Sequence, residues 1–298
     1  MIKKTIYIGN PARLSLRHGQ MLIEKPEELV HNTIPVEDTG ILILDHSQIT
    51  LTHGLMEELV ENNAAILFCN NKHMPHGLVL PMDTHSTFSQ NIKCQIEASE
   101  PLKKQLWKQT VEAKIKNQIA LLKKLGKVSA RMEYLHKNVQ SGDKTNAEGQ
   151  AASVYWKNIF EGTDFTRGRF DAPPNNLLNY GYAILRSVIA RNLVGSGMLP
   201  ALGIHHRNKY NAFCLADDIM EPFRPYVDEL VLGIVKESAE NLPEDITKET
   251  KIKLLQIPVL DVEIAGKSSP LMVAAQRTTA SLMRCFEGES RKIMYPEL

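Results

Sequence analysis

The chain opens with short apolar runs separated by turn residues. Thr5-Ile6-Tyr7-Ile8 is followed by Leu14–Arg17, the pair His18-Gly19 and Gln20–Ile23. Two short runs around a glycine-containing turn predict a β-hairpin. Thr33–Val36, Ile41–Leu44 and Ala65–Cys69 continue the strand pattern, and between them Leu55, Met56, Leu59 and Val60 recur at helical spacing. The period changes near Pro101. From there to residue 137 the positions Leu102, Leu106, Val111, Ile115, Ile119, Leu122 and Leu125 share one stripe, which predicts helix over a long stretch. After the break Asp171–Asn176, Leu177–Val194 fits another helix, and the remainder shows almost no strand pattern. The fold class expected is α+β: a small, sandwich-like β-sheet domain over residues 1–85, then an all-α domain over 86–298.

At 298 residues the chain is long enough for two such domains. Hydrophobic residues make up 43%, and 35 basic against 34 acidic residues leave a net charge of +1. Those figures exclude a disordered chain and a bulk-basic, histone-like DNA binder. No apolar run approaches the roughly 18 residues that a membrane helix needs. The N-terminus lacks the apolar core of a secretory signal. Cys69, Cys94, Cys214 and Cys285 lie far apart, without C-x-x-C spacing. A cytoplasmic protein with no membrane association and no thiolate metal site is expected. Charge is nevertheless uneven: residues 101–144 hold eleven Lys or Arg against three acids. This is either a solvated face or a surface that tracks phosphates.

Three segments carry candidate chemistry. Glu148 heads a helical face continued by Ala151, Ala152, Tyr155, Trp156 and Ile159, with Asn146 as a candidate N-cap. A carboxylate there either favours the helix start electrostatically or is buried with a partner or a metal. Gly203-Ile204-His205-His206 follows a Gly- and Pro-containing stretch; adjacent histidines point different ways, so one of them serves a given site. In Asp217-Asp218-Ile219-Met220-Glu221-Pro222-Phe223-Arg224-Pro225, a helix places Asp218 and Glu221 on one face and turns Asp217 away. Pro222 and Pro225 interrupt that helix. Carboxylates with one imidazole suit Mg²⁺ or Mn²⁺; the plain alternative is an acidic surface turn neutralised by Arg224.

Taken together, Glu148, Gly203-Ile204-His205-His206 and Asp218-Ile219-Met220-Glu221-Pro222-Phe223-Arg224-Pro225 resemble the CRISPR-associated integrase of spacer acquisition, the Cas1 family, in its shorter type II branch. Asn146-Ala147-Glu148-Gly149 and Asn179-Tyr180-Gly181-Tyr182 resemble further family segments. The resemblance implies a metal-dependent DNA endonuclease and integrase that inserts short foreign fragments into a CRISPR array by 3′-hydroxyl attack on the repeat phosphodiester. It implies Glu148, His206 and Glu221 as catalytic metal ligands, with Asp218 as a supporting fourth, and Mg²⁺ or Mn²⁺ as the cofactor. It also implies a homodimer built through the β-rich domain, the small partner Cas2, and prespacer and repeat DNA as substrates. Arg167, Arg169, Arg207, Lys209 and Arg224 become candidate phosphate contacts. The alternative from another class is a non-catalytic DNA-binding scaffold. The segment Arg291–Leu298 reads as a flexible or partner-ordered tail.

Overall fold

The computed structural model describes residues 3–26, 31–82, 85–160, 165–168, 173–238 and 245–298. Cα packing divides the chain into two units, Met1–Phe88 and Ser89–Leu298.

The first unit runs β1 (Lys4–Ile8), β2 (Ala12–Arg17), β3 (Gln20–Glu24), β4 (Asn32–Pro35), β5 (Thr39–Leu44), β6 (Ile49–Leu51), α1 (His53–Glu61), β7 (Ala65–Cys69) and β8 (Pro75–Val79). These strands form two four-stranded sheets, ordered β1-β5-β7-β8 and β4-β3-β2-β6. In the first sheet β1, β5 and β7 run parallel and β8 antiparallel. The hairpin β2–β3 turns at His18 and Gly19, both with positive φ (50° and 71°). That backbone matches the right-handed twist of the strands it joins. One core cluster gathers Ile6 and Ile8, Leu14, Met21 and Ile23, Leu42 and Leu44, and Leu55 and Leu59 of α1. Strand β5 is buried at every position, which is why its sequence reads as an unbroken apolar run rather than an alternation. Strand β8 has no such signature: Pro75, His76 and Gly77 are poor strand formers. Its pairing with β7, Ile66 opposite Val79 and Leu67 opposite Leu78, makes it a strand.

The second unit is mostly helical: α2 (Phe88–Glu97), α3 (Glu100–Lys124), α4 (Ala130–Lys137), α5 (Ala147–Ile159), α6 (Asn175–Gly195), α7 (Cys214–Met220), α8 (Arg224–Glu237), α9 (Lys248–Leu254) and α10 (Leu271–Phe286). The helix expected to run to residue 137 is divided. Gly126, at φ +73°, ends α3, and Ser129 caps α4 by accepting from the Met132 amide. The unit also contains a hairpin that the all-α expectation lacked, β9 (Asp261–Ile264) with β10 (Lys267–Pro270). Asp261-Val262-Glu263-Ile264 does alternate polar and apolar, a signal short enough to be overlooked. Residues 291–298 are pinned rather than loose. The Tyr295 hydroxyl meets Thr110 at 2.7 Å, the Glu297 amide donates to the Glu263 carbonyl at 2.8 Å, and Pro296 is buried. Among the described residues no helix is long and apolar enough to cross a membrane.

Candidate active site

Glu148 stands in the first turn of α5, and local chemistry fixes it there. Asn146 adopts a left-handed backbone (φ 53°) and its side chain accepts from the Gly149 amide at 3.1 Å. Asp143 accepts from the Ala147 and Glu148 amides at 2.8 and 3.0 Å. The amides that a helix start leaves open are therefore filled, and the Glu148 side chain is left to other partners.

Glu221 sits where α7 gives way to a single 3-10 turn, Glu221–Phe223, before α8 begins. Pro222 lies in the first turn of the 3-10 element and Pro225 in the first turn of α8, where their missing amides cost nothing. Asp218, one turn earlier, is fully buried and its carboxylate organises the histidine loop. Oδ2 accepts from the Ile204 and His205 amides at 2.7 and 2.9 Å; Oδ1 accepts from the His206 amide at 3.2 Å and meets its Nδ1 at 2.5 Å. Asp218 was expected as a supporting metal ligand. Both its oxygens accept from this loop, so it acts on His206, directing Nδ1 inward and leaving Nε2 as the nitrogen for other partners. Gly203 makes the close approach possible: a Cβ there would lie 2.4 Å from the His206 carbonyl oxygen and 2.8 Å from Asp218 Oδ2. Before the loop, Gln95 of α2 accepts from the Leu199 amide and donates to the Leu199 and Leu202 carbonyls. Asp217 turns away, as its helical position requires, to Arg186 and Asn211.

The two histidines part company. His205 stacks flat on Trp107 of α3, with centroids 4.1 Å apart and planes 1° from parallel, whereas His206 meets the same indole edge-on at 5.6 Å. Burial, then the neighbouring His206, push the His205 imidazole below its ordinary pKa. The hydrogen bond that its ring donates to Asp218 holds that of His206 above it, with further help from Glu221 and Glu148.

Helix α3 supplies the residue that unites these segments. Lys114, only 8% exposed, places Nζ 2.7 Å from Glu148 Oε1 and 2.5 Å from Glu221 Oε2. The other Glu221 oxygen pairs with Arg224 at 2.9 Å. Burial alone would raise the Glu221 carboxyl, but Arg224 and Lys114 outweigh it and hold the group below its usual range. Burial would likewise lower the Lys114 ammonium, and Glu221 and Glu148 reverse that. Arg224 in turn lies over the Tyr182 ring at 4.7 Å. Tyr182 and Tyr155 both donate to the buried carboxylate of Asp228, at 2.5 and 2.7 Å. Burial drives the Asp228 pKa up to about 6 despite those two hydrogen bonds. Three positions on α3 thus serve the site: Trp107, Lys114, and Asn117, which donates to the Pro222 carbonyl at 2.8 Å. Sequence reasoning missed all three, and Asp143. The available signal was that Lys114 lies three residues after Val111 and seven after Trp107, on the apolar side of the helix.

The basic candidates are placed unequally. Lys209 and Arg207 are exposed on the histidine loop, Lys209 over the Tyr210 ring and Arg207 against Glu100. Arg167 donates to the side chains of Asn175 and Asn179, and Arg224 is bound to Glu221. Arg169 lies outside the described residues. Much of the basic run is paired within the chain, Lys116 with Glu297, Lys123 with Glu133 and Lys124 with Glu229.

Two carboxylates that converge on one ammonium nitrogen form a place built for positive charge, and oxygen donors with an adjacent imidazole suit a hard divalent ion. The residues fit such an ion in chemistry. As they stand, among the described residues no three His, Cys, Asp or Glu side chains are grouped to hold a metal, and Lys114 bridges Glu148 and Glu221.

The Cas1 family model, described as "CRISPR associated protein Cas1", matches residues 6–257. The CRISPR-associated endonuclease Cas1 of Neisseria meningitidis serogroup C (strain 8013) is 34% identical over 301 residues, covering 100% of this chain and 97% of its own. A casposase bound to integration product superposes with a TM-score of 0.80 at 19% identity, over 98% of this chain and 92% of its own. A chain of a Cas6-RT-Cas1–Cas2 complex gives 0.76 at 19% identity, over 100% of this chain and 37% of that longer one. A β-rich first unit, a helical second one, Glu148 and Glu221 meeting at one cationic point, and an identity that runs from end to end agree: the chain belongs to the Cas1 family of CRISPR-associated proteins.

Proposed function

We propose that the protein is a metal-dependent DNA endonuclease and integrase that joins short DNA fragments to a CRISPR repeat, with Glu148, His206 and Glu221 holding Mg²⁺ or Mn²⁺. The observation that carries this reading is the convergence of Glu148 and Glu221 on one cation; His206, oriented by Asp218, feels the charge of both. Held by Glu148, His206 and Glu221, a divalent ion would supply Lewis acidity toward the scissile phosphodiester and would lower the pKa of a water or 3′-hydroxyl nucleophile. The chain's own contribution is placement. Asp218 keeps the His206 ring in one orientation, Asp143 and Asn146 keep Glu148 at the helix start, and Arg224 offsets the negative charge of Glu221. Within this reading Lys209 and Arg207, exposed on the histidine loop, contact DNA phosphates, Arg207 exchanging its partner Glu100 for one. The names of the relatives support DNA and Cas2 as partners: the casposase is bound to an integration product, and the complex contains Cas2. Association of two copies through the β-rich unit belongs to the same proposal.

The test joins a labelled short duplex with free 3′-hydroxyls to a plasmid carrying a CRISPR repeat, in Mg²⁺, Mn²⁺ or EDTA, with and without Cas2. Joining that needs metal and disappears in Glu148→Ala, His206→Ala and Glu221→Ala, while DNA affinity stays within about threefold, is the expected result. Tight DNA binding with no joining or nicking by the wild type in any condition would favour the non-catalytic scaffold.

A further inference from the structure

The chemistry above leaves Lys114 without a task, yet Lys114 holds the central position. It is 8% exposed, and its ammonium bridges Glu148 at 2.7 Å and Glu221 at 2.5 Å. We propose that Lys114 is a resident counter-cation: it holds the two carboxylates together in the metal-free protein, and it must release at least one of them before a divalent ion can be held between them. The inference rests on the metal-dependent reading of this site.

The geometry of Glu221 makes the case. Arg224 occupies Oε1 at 2.9 Å and Lys114 stands against Oε2, so each oxygen of this buried carboxylate already faces a cation. Glu148 commits Oε1 to the same ammonium. Without Lys114, the two carboxylates that meet on its ammonium would be left with like charge uncompensated, an arrangement that repels. A divalent ion placed on these oxygens would stand at contact range from the ammonium, where like charges in a poorly screened site repel strongly. The two cations therefore exclude each other. A lysine suits exchange better than an arginine would, because its ammonium makes single-point contacts on a flexible four-carbon stem.

Mn²⁺ binding in the absence of DNA, followed by the electron paramagnetic resonance of the free ion, tests this with wild type, Lys114→Met, Lys114→Arg and Glu148→Gln. Removing the competing charge should tighten Mn²⁺ binding about tenfold in Lys114→Met, while Lys114→Arg stays within about threefold of wild type and Glu148→Gln binds more weakly. Equal or weaker binding by a folded Lys114→Met overturns the counter-cation role and leaves the metal-dependent reading standing. Absence of Mn²⁺ binding in both wild type and Lys114→Met overturns both. Should Lys114→Met not fold, amine acylation of the wild type with mass-spectrometric readout decides. Lys114 should label at least about fivefold faster once Mn²⁺ is bound, as expected for a buried ammonium released from its partners, and unchanged labelling overturns the inference.

Discussion

Replacing Asp218 by alanine should destabilise the metal-free protein as well as disable it. The carboxylate is fully buried and receives the amides of Ile204, His205 and His206 together with the His206 ring. Its removal orphans the amide of Ile204, itself only 3% exposed, at ~1–3 kcal/mol for a buried donor left without a partner. Loss of the charged contact to His206 adds less than the ~3–5 kcal/mol of a fully buried pair, since that ring is 46% exposed. A total of about 4 kcal/mol follows, a large part of an ordinary domain's stability. Urea unfolding followed by tryptophan fluorescence measures it: Trp107 and Trp156 both belong to the second unit, and Trp107 touches His205 itself. A loss below ~1 kcal/mol at unchanged urea slope would refute the reasoning, because a carboxylate serving only as a metal ligand would leave the metal-free fold untouched. An NMR titration of Asp218→Asn gives a second check. The His206 pKa should fall from its raised value toward ~6.5. In the wild type the stabilisation from this pair is complete below the unfolded pKa and disappears as pH rises through the folded one.

Other expectations are as specific. Asp228 has a folded pKa of about 6 against ~3.9 for a free aspartate; the native state holds the proton more tightly, so stability should decline by ~3 kcal/mol between about pH 4 and 6. Asp228→Asn should lack that component in a series of urea midpoints, and identical pH slopes in the two proteins would contradict it. Asn117→Ala removes a buried side chain that donates to the Pro222 and Pro296 carbonyls and accepts from the Leu298 amide. A loss of ~2–3 kcal/mol and faster proteolysis after residue 290 should result, and a tail as resistant as the wild type's would count against this strap. Gly203→Ala puts a methyl group 2.4 Å from the His206 carbonyl oxygen, so joining activity should vanish and stability should drop by at least ~2 kcal/mol. Retained activity in the joining assay would show that the loop can shift.

Most of the architecture is legible along the chain because local signals carry it. The hairpin at His18-Gly19, the helical stripes of α3 and α6 and the Asn146 cap each lie within a few consecutive residues, where side-chain period and backbone preference act directly. The segments holding Glu148, His206 and Glu221 are legible for another reason: their residue types belong to a specific chemistry, and the family resemblance joins them across the chain. Strand β8 and the hairpin β9–β10 were less legible: Pro75, His76 and Gly77 disfavour a strand, β9 alternates over only 4 residues, and in each case pairing with the neighbouring strand decides.

The sequence by itself determined a β-rich first part, a helical remainder and three segments with the chemistry of a cation site. Only the tertiary structure decided how the charges are shared. In the sequence Lys114 is one of eleven basic residues in a basic run, and its neighbours say nothing of Glu148 or Glu221. Packing of α3 against α5 and the turn after α7 makes it the most buried charge partner of both. The same packing turns Asp218 to the histidine loop, and sets His205 on Trp107 while His206 feels the charge of Glu221 and Glu148. Periodicity reports which face of a helix turns inward. Which charges meet there depends on residues far apart in the chain, and only the folded structure brings them together.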